Sequence, residues 1–291
     1  MPTIRSAMQR FRAYLQRRHD AAHTVDSYLL DLGLFCQDVA GSLSQIAFHD
    51  VDRFIDQQHA QGLTSATINR RLYALKHFFD FLIEQRVVSP NPVKPSHMLR
   101  RGRPLPKPLA QGPLERLFAR IQQPMDRALF LLMLRCGLRV SEVARLKVRD
   151  LDWTQQTLRI EQGKGRKDRY VYLSADALAS LRECLQRRPA SVPGGLVFWN
   201  QKRFSRTLSV KAIQKKMARY AAAAGISASC HRLRHTFASN LLEQGAEVVS
   251  IRELLGHASI TSSERYAKIS NQKVKQEYLR TMRKVLRQNK V

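Results

Sequence analysis

The sequence predicts a two-domain, mainly α-helical protein whose second domain is mixed α+β and carries a small β-sheet. Three observations support this. Apolar residues recur at helical spacing through roughly the first ninety residues. A proline-dense stretch then interrupts the chain. Beyond it, one segment switches to the alternating period of a β-hairpin. At 291 residues the chain is long enough for two cores, and 44% hydrophobic content argues for a globular protein.

In chain order, Ile4, Met8, Phe11 and Leu15 share one face of a first helix. Thr24 reads as the N-cap of a second, with Tyr28, Leu32 and Phe35 on one side. A third is expected from about Asp50 to Gln61, stopped by Gly62. A fourth spans about Ser65 to Glu84, with Leu72, Leu75, Phe78, Phe79 and Leu82 as its apolar stripe. Its other face presents Asn69, Arg70, Arg71, Lys76 and His77, either as a solvated surface or as a row of phosphate contacts.

Residues 89–108 hold six prolines and five Lys or Arg with no carboxylate, which favours a stiff, extended, basic connection. The expected division is therefore a helical domain over residues 1–90, a linker over 91–108 and a second domain over 109–291. In that second domain, Asp126 to Cys136 and Val140 to Leu146 read as helices broken at Gly137. Residues 157–173 read as a hairpin with G-K-G-R-K-D near its tip, and Leu196 to Trp199 as a short strand. Helices are expected again at 209–224, 232–244, 247–255 and 272–287. Asp150 and Asp152 read as turn residues.

Charge narrows the partner. Fifty Lys and Arg against 23 Asp and Glu give a formal charge of +27, which points to a polyanion. Residues 1–108 carry 15 basic and 9 acidic side chains, and residues 109–291 carry 35 and 14, so the second domain holds most of the excess. No apolar run approaches the length of a membrane span; Ala128 to Leu134 is the longest candidate. The N-terminus lacks the apolar stretch of a signal peptide. The four cysteines, Cys36, Cys136, Cys184 and Cys230, form no C-x-x-C pair and read as thiols of a reducing compartment. The expected location is the cytoplasm.

Residues 230–245 read CHRLRHTFASNLLEQG. Their second half is an ordinary apolar helix face, but His231, Arg232, Arg234 and His235 crowd nitrogen donors at its start. His231 and His235 could suggest a metal pair, but the zinc motif H-E-x-x-H needs glutamate where Arg232 stands, so no metal is expected. The hairpin tip lacks the G-x-x-x-x-G-K-[ST] pattern of a nucleotide loop. No cofactor is expected.

Three islands combine: CGLRVSEVARL with Arg139, the hairpin tip with Lys164, and a run from HRLRH through LLGH to a tyrosine. Their order and spacing resemble the tyrosine recombinase (phage integrase) family, over essentially the whole chain. The family's catalytic set falls on Arg139, Lys164, His231, Arg234, His257 and Tyr266, with no member substituted. The resemblance implies an N-terminal core-binding, SAM-like domain and a C-terminal catalytic domain, closing on DNA as a clamp. It implies a site-specific DNA recombinase, as in integration, excision, inversion or dimer resolution, with four protomers on double-stranded DNA bearing paired inverted half-sites. A second recombinase as partner is compatible with it. The short stretch before His19 looks more like Xer-type or transposon-borne recombinases than like larger integrases with an arm-binding domain.

These residue types suit phosphoryl transfer. Arg139 and Arg234 would fork hydrogen bonds onto the non-bridging oxygens while keeping their charge. Tyr266 would be the nucleophile; a phenol with a pKa of about 10 needs a cationic site or a base. Lys164 would protonate the leaving 5′ oxygen. His231 and His257 would face the same phosphate, either able to serve as base, with His235 supporting. Candidate DNA contacts are Arg70, Arg71 and Lys76 on the fourth helix, Arg100, Arg101 and Arg103 in the linker, and Arg166 and Lys167 at the hairpin tip. The C-terminal helix places Val274, Tyr278, Met282 and Val285 on one face, which the resemblance implies docks on a neighbouring protomer. Two rivals are a DNA-binding regulator with vestigial catalytic residues and a carboxylate–Mg²⁺ transposase or nuclease. The intact set argues against the first, and the 14 acidic residues of the basic domain against the second.

Overall fold

The computed structural model describes residues 3–18, 22–38, 42–100, 108–161, 168–192, 195–256 and 267–288. The chain divides into two compact units, Met1–Pro104 and Leu105–Val291.

The first unit holds α1 (Ile4–Arg17), α2 (Ala22–Asp38), α3 (Phe48–Ala60) and α4 (Ser65–Glu84). Thr3 caps α1, its hydroxyl accepting the Ser6 amide at 3.2 Å, and Phe11 and Leu15 are buried. Helix α2 begins at Ala22, so Thr24 lies in its first turn and is not the expected cap, which must stand outside the helical backbone. Helix α3 likewise starts two residues before Asp50. Asp50 supports that start from within, its carboxylate accepting the Ala47 amide at 2.9 Å. Gly62, at φ 74°, ends this helix as expected. Helix α4 matches its predicted span, and its stripe packs edge-on against rings from α1 and α2, with Phe11 and Phe78 centroids 5.3 Å apart.

The proline-rich segment departs from its expected free, extended form. Residues 89–99 fold onto α4 and belong to the first unit. The Asn69 side chain donates to the Leu99 carbonyl at 2.8 Å and accepts the Leu99 amide at 2.9 Å. Asn91 donates to Asp80 at 2.7 Å, while Val93 and His97 are buried. Proline removes amides that a packed segment would otherwise have to satisfy, and two asparagines hold the backbone that remains.

The second unit begins with α5 (Gln111–Arg120), α6 (Pro124–Arg135) and α7 (Val140–Arg145). Helix α6 is buried on every side from Ala128 to Arg135 and packs against three later helices. Strands β1 (Leu151–Asp152), β2 (Thr157–Ile160) and β3 (Arg169–Tyr172) form an antiparallel sheet in the order β1-β2-β3, with Leu158 opposite Val171. The predicted hairpin is therefore present, with a third strand added at its edge. Asp152 accepts the amides of Thr154 and Gln155 at 3.0 and 2.8 Å, the turn role expected of it.

Helix α8 (Ala175–Gln186) follows, then a strand pair, β4 (Trp199–Asn200) and β5 (Arg203–Thr207). The strand expected at Leu196 thus starts three residues later, and Leu196 makes a single bridge to Lys147. Helices α9 (Val210–Ala223), α10 (Cys230–Glu243), α11 (Val248–Leu255) and α12 (Ala267–Gln288) complete the unit. Sequence reasoning did not anticipate α5 and α8, although Leu114, Leu117 and Phe118 and then Ala177, Leu181 and Cys184 are buried at helical spacing.

The apolar face of α12 is not free for a neighbouring protomer. Val274, Tyr278, Met282 and Val285 are buried within their own chain, against Phe237, Leu241, Leu254 and Leu255. The Tyr278 hydroxyl donates to the Arg135 carbonyl at 3.0 Å, and Glu277 accepts the Glu247 amide at 2.7 Å. Helices α10 and α11 present an apolar wall that matches this stripe, so cis packing removes it from water. No helix among the described residues is long and apolar enough to cross a membrane.

Candidate active site

The turn between α6 and α7 brings two distant arginines together. Gly137 sits at φ 65°, and a Cβ there would lie 2.5 Å from Cδ1 of Phe237 on α10. Only glycine permits this approach. The Gly137 carbonyl accepts a hydrogen bond from Nη1 of Arg234, whose Nη2 donates to the Leu255 carbonyl at 2.6 Å. Arg234 is only 6% exposed. Burial, then the nearby Arg139, lower its pKa to about 10, which still leaves it a cation at neutral pH.

Arg139 stands at the N-cap of α7. Its backbone amide donates to Glu142 Oε2 at 2.7 Å, and its Nη1 to Oε1 at 2.8 Å. Its Nη2 donates to the Gly256 carbonyl at 3.1 Å. Gly256, at φ 63°, is the left-handed cap of α11 and immediately precedes His257.

A third guanidinium completes the cluster. Arg169, the first residue of β3, donates Nη1 and Nη2 to the two oxygens of Glu142 at 2.9 and 2.8 Å. Its Nε donates to the Leu254 carbonyl at 3.0 Å. Arginines 169, 234 and 139 thereby take the successive carbonyls of residues 254, 255 and 256, the unsatisfied end of α11. Burial works to raise the Glu142 pKa, but the hydrogen bonds and charge of Arg169, with those of Arg139, hold it below the usual carboxylate range.

His231 enters from the N-terminal turn of α10, which Ser229 caps by accepting the Arg232 amide at 3.2 Å. Its Nε2 lies 2.7 Å from Nε2 of His235, so one ring donates to the other and their tautomers are linked. Burial, then His231 and Arg234, push the His235 pKa down, favouring its neutral form. Arg139, Ser141, Ser229, His231 and Arg234 line one cleft of about 530 Å³. The N-terminal end of a 14-residue helix faces an anion favourably, and the cluster sets three guanidiniums against one carboxylate. Such a site stabilises negative charge on a phosphoryl group.

Of the catalytic set, the structure brings together Arg139, His231 and Arg234. Lys164, His257 and Tyr266 lie outside the described residues, as do Arg101, Arg103, Arg166 and Lys167. On α4, Arg70 forks onto the buried carboxylate of Asp31, and Arg71 bonds the Gln58 amide oxygen with its charge 3.8 Å from Asp31. Lys76 pairs with Asp80 at 2.6 Å, and Arg100 is exposed. The proposed contact face of α4 is therefore tied into its own unit, with the Arg71 side chain only 15% exposed. Sequence reasoning missed Glu142 and Arg169. Glu142 carries the signal of an acidic residue three positions after a helix N-cap, and Arg169 that of a cation on the inward side of a strand.

Comparison with known proteins agrees with the geometry. Residues 109–273 match the phage integrase family, and residues 8–86 match the phage integrase N-terminal SAM-like domain. Tyrosine recombinase XerC of Bacillus subtilis is 30% identical over 96% of this chain and 97% of its own. Tyrosine recombinase XerA of Pyrococcus furiosus is 30% identical over 94% and 93%. Among solved structures, a lambda integrase dimer bound to a core site superposes with a TM-score of 0.73 at 19% identity, covering 91% of this chain and all of that one. A lambda integrase tetramer bound to a Holliday junction gives 0.73 at 20% identity, covering 91% of this chain and 80% of that one. At that identity the likeness concerns the fold. With a family match over more than half its length and relatives that span nearly all of it, the chain belongs to the phage integrase family and is a tyrosine-type site-specific recombinase.

Proposed function

We propose that this recombinase holds a scissile DNA phosphate against Arg139, Arg234 and His231, and that Tyr266 attacks it. The phenolic oxygen forms a bond to phosphorus and the 5′ oxygen leaves, giving a 3′-phosphotyrosine and a free 5′ hydroxyl. Lys164 supplies the proton to that leaving oxygen, and His231 or His257 accepts the proton of Tyr266. A hydroxyl from the partner strand then reverses the step, so the ester bond energy is conserved. In this reading four protomers exchange strands in pairs on two duplexes with inverted half-sites, through a Holliday junction, in the cytoplasm. The lambda integrase solved as a tetramer on such a junction supports that assembly.

The observation that carries the reading is the cleft itself. Two of the matched arginines and the matched histidine line it, though 92 residues of sequence separate Arg139 from His231. Phosphate contacts elsewhere are assigned to Arg100, Arg101, Arg103, Arg166 and Lys167, and more weakly to Arg70, Arg71 and Lys76, whose charges are already paired.

The test is Tyr266→Phe, which removes one oxygen and little volume. The variant is expected to bind DNA and to form no denaturation-resistant adduct on a nicked trapping substrate, in EDTA, where wild type forms one. An adduct formed by the Phe variant would contradict the assignment.

A further inference from the structure

Arg139 and Glu142 pose a problem that the catalytic assignment leaves open. A carboxylate 2.8 Å from the catalytic guanidinium is positioned to neutralise it. If Glu142 forked fully onto Arg139, little of that charge or of its donor fork would remain for a phosphate. The geometry shows what prevents this. Glu142 Oε1 accepts from Arg139 Nη1 and Arg169 Nη1, while Oε2 accepts from the Arg139 amide and Arg169 Nη2. The symmetric fork belongs to Arg169, and Arg139 keeps one side-chain bond to the shared oxygen.

We propose that Arg169 is a positioning residue for the recombination reaction, occupying the Glu142 carboxylate so that the Arg139 guanidinium stays charged, aimed and available to the scissile phosphate. This rests on the phosphate-site reading above and deepens it. Arg169 is suited to the task because its own side chain is only 9% exposed, does not line the cleft, and bonds Glu142 and the end of α11. It holds Glu142 with a planar fork that lysine cannot reproduce. Its Nε fixes the Leu254 carbonyl, two residues before the Gly256 carbonyl that orients Arg139. It is also the first residue of β3, five positions after Lys164 in the sequence.

Charge balance makes the proposal testable. In wild type, Arg139, Arg169 and Arg234 face Glu142. Arg169→Gln removes one cation and frees the carboxylate to fork onto Arg139. Arg169→Gln with Glu142→Gln restores the original balance, and the two amides can hydrogen-bond each other in place of the ion pair. The readout is the rate of covalent adduct formation at saturating DNA, with non-covalent binding and the thermal midpoint measured beside it. Arg169→Gln is expected to lower the adduct rate about 10²-fold, the scale of losing one preorganised donor to the developing charge. Adding Glu142→Gln is expected to recover the rate to within about tenfold of wild type, because the competing carboxylate is gone. A purely structural role for Arg169 would make the double variant as slow as or slower than the single one, and that result would overturn the proposal. If Arg169→Gln melts early, the double variant still decides the matter, since its rate is read on the folded, DNA-bound fraction. Wild-type protein that forms no adduct at all would instead overturn the phosphate-site reading, and this role with it.

Discussion

In the first unit, Arg70 and Arg71 share the carboxylate of Asp31, and Lys76 pairs with Asp80. In the second, Arg139 and Arg169 share Glu142, whose charge Arg234 also feels, and the other described side-chain bonds of all three go to neutral backbone carbonyls. Apart from Arg169, which stands on a strand, both clusters read in the sequence as basic residues on or beside helices. Their charge is balanced differently. On α4 most of the positive charge is met by acid within the unit, so the cluster holds helices together. Around Glu142 the acid is outnumbered, so the cluster keeps an excess that an anion can satisfy. A basic side chain therefore signals a phosphate site only once its counter-charges are counted in space.

Breaking the α4 cluster tests the structural half of this contrast. Asp31 is fully buried, so Asp31→Ala leaves Arg70 without its acceptor and Arg71 without its nearby counter-charge. The expected loss of stability is about 3 kcal/mol, the low end for a broken buried pair, because Arg70 is half exposed. Denaturant unfolding measures it, and the adduct rate of the folded protein at saturating DNA should be unchanged. A loss below about 1 kcal/mol would rank the pair with ordinary surface bridges and return Arg70 and Arg71 to DNA contact.

The smallest expected effect concerns α12, which packs against α10, α11 and β3. Tyr278→Phe removes the hydroxyl bonded to the Arg135 carbonyl and keeps the ring. It should cost about 1 kcal/mol of stability in the isolated protein, read from the shift of the denaturation midpoint. No change at all would favour release of α12 from its own chain, as the resemblance implied.

Much of this was legible in the sequence, for reasons that differ by residue. Helix α4 announced itself through Leu72, Leu75, Phe78, Phe79 and Leu82, the stripe of a 20-residue helix. Arg139, His231 and Arg234, which line one cleft, were picked out because the family resemblance and the chemistry expected of a phosphate site pointed to them. Arg169 and Glu142 were missed: strand alternation puts Arg169 on the inward face of β3, but nothing local names a carboxylate 27 residues earlier as its partner. The linker misled in the opposite direction. Its prolines signalled an extended chain, while the partners that fold residues 89–99 back, Asn69 and Asp80, lie on α4. The partner of the α12 stripe was also beyond reach, because an apolar face does not say which chain will cover it.

The central claim is that the excess charge in the second unit exists to stabilise a phosphate. Replacing one non-bridging oxygen of the scissile phosphate with a methyl group removes the negative charge and leaves the bond to be broken intact. On the natural substrate, Arg139→Ala should slow adduct formation about 10³-fold relative to wild type. On the methyl-substituted substrate, the same variant should approach the wild-type rate, within about tenfold, because little charge remains for the guanidinium to offset. An equal deficit on both substrates would contradict the account, and would make Arg139 a structural residue of the α7 turn.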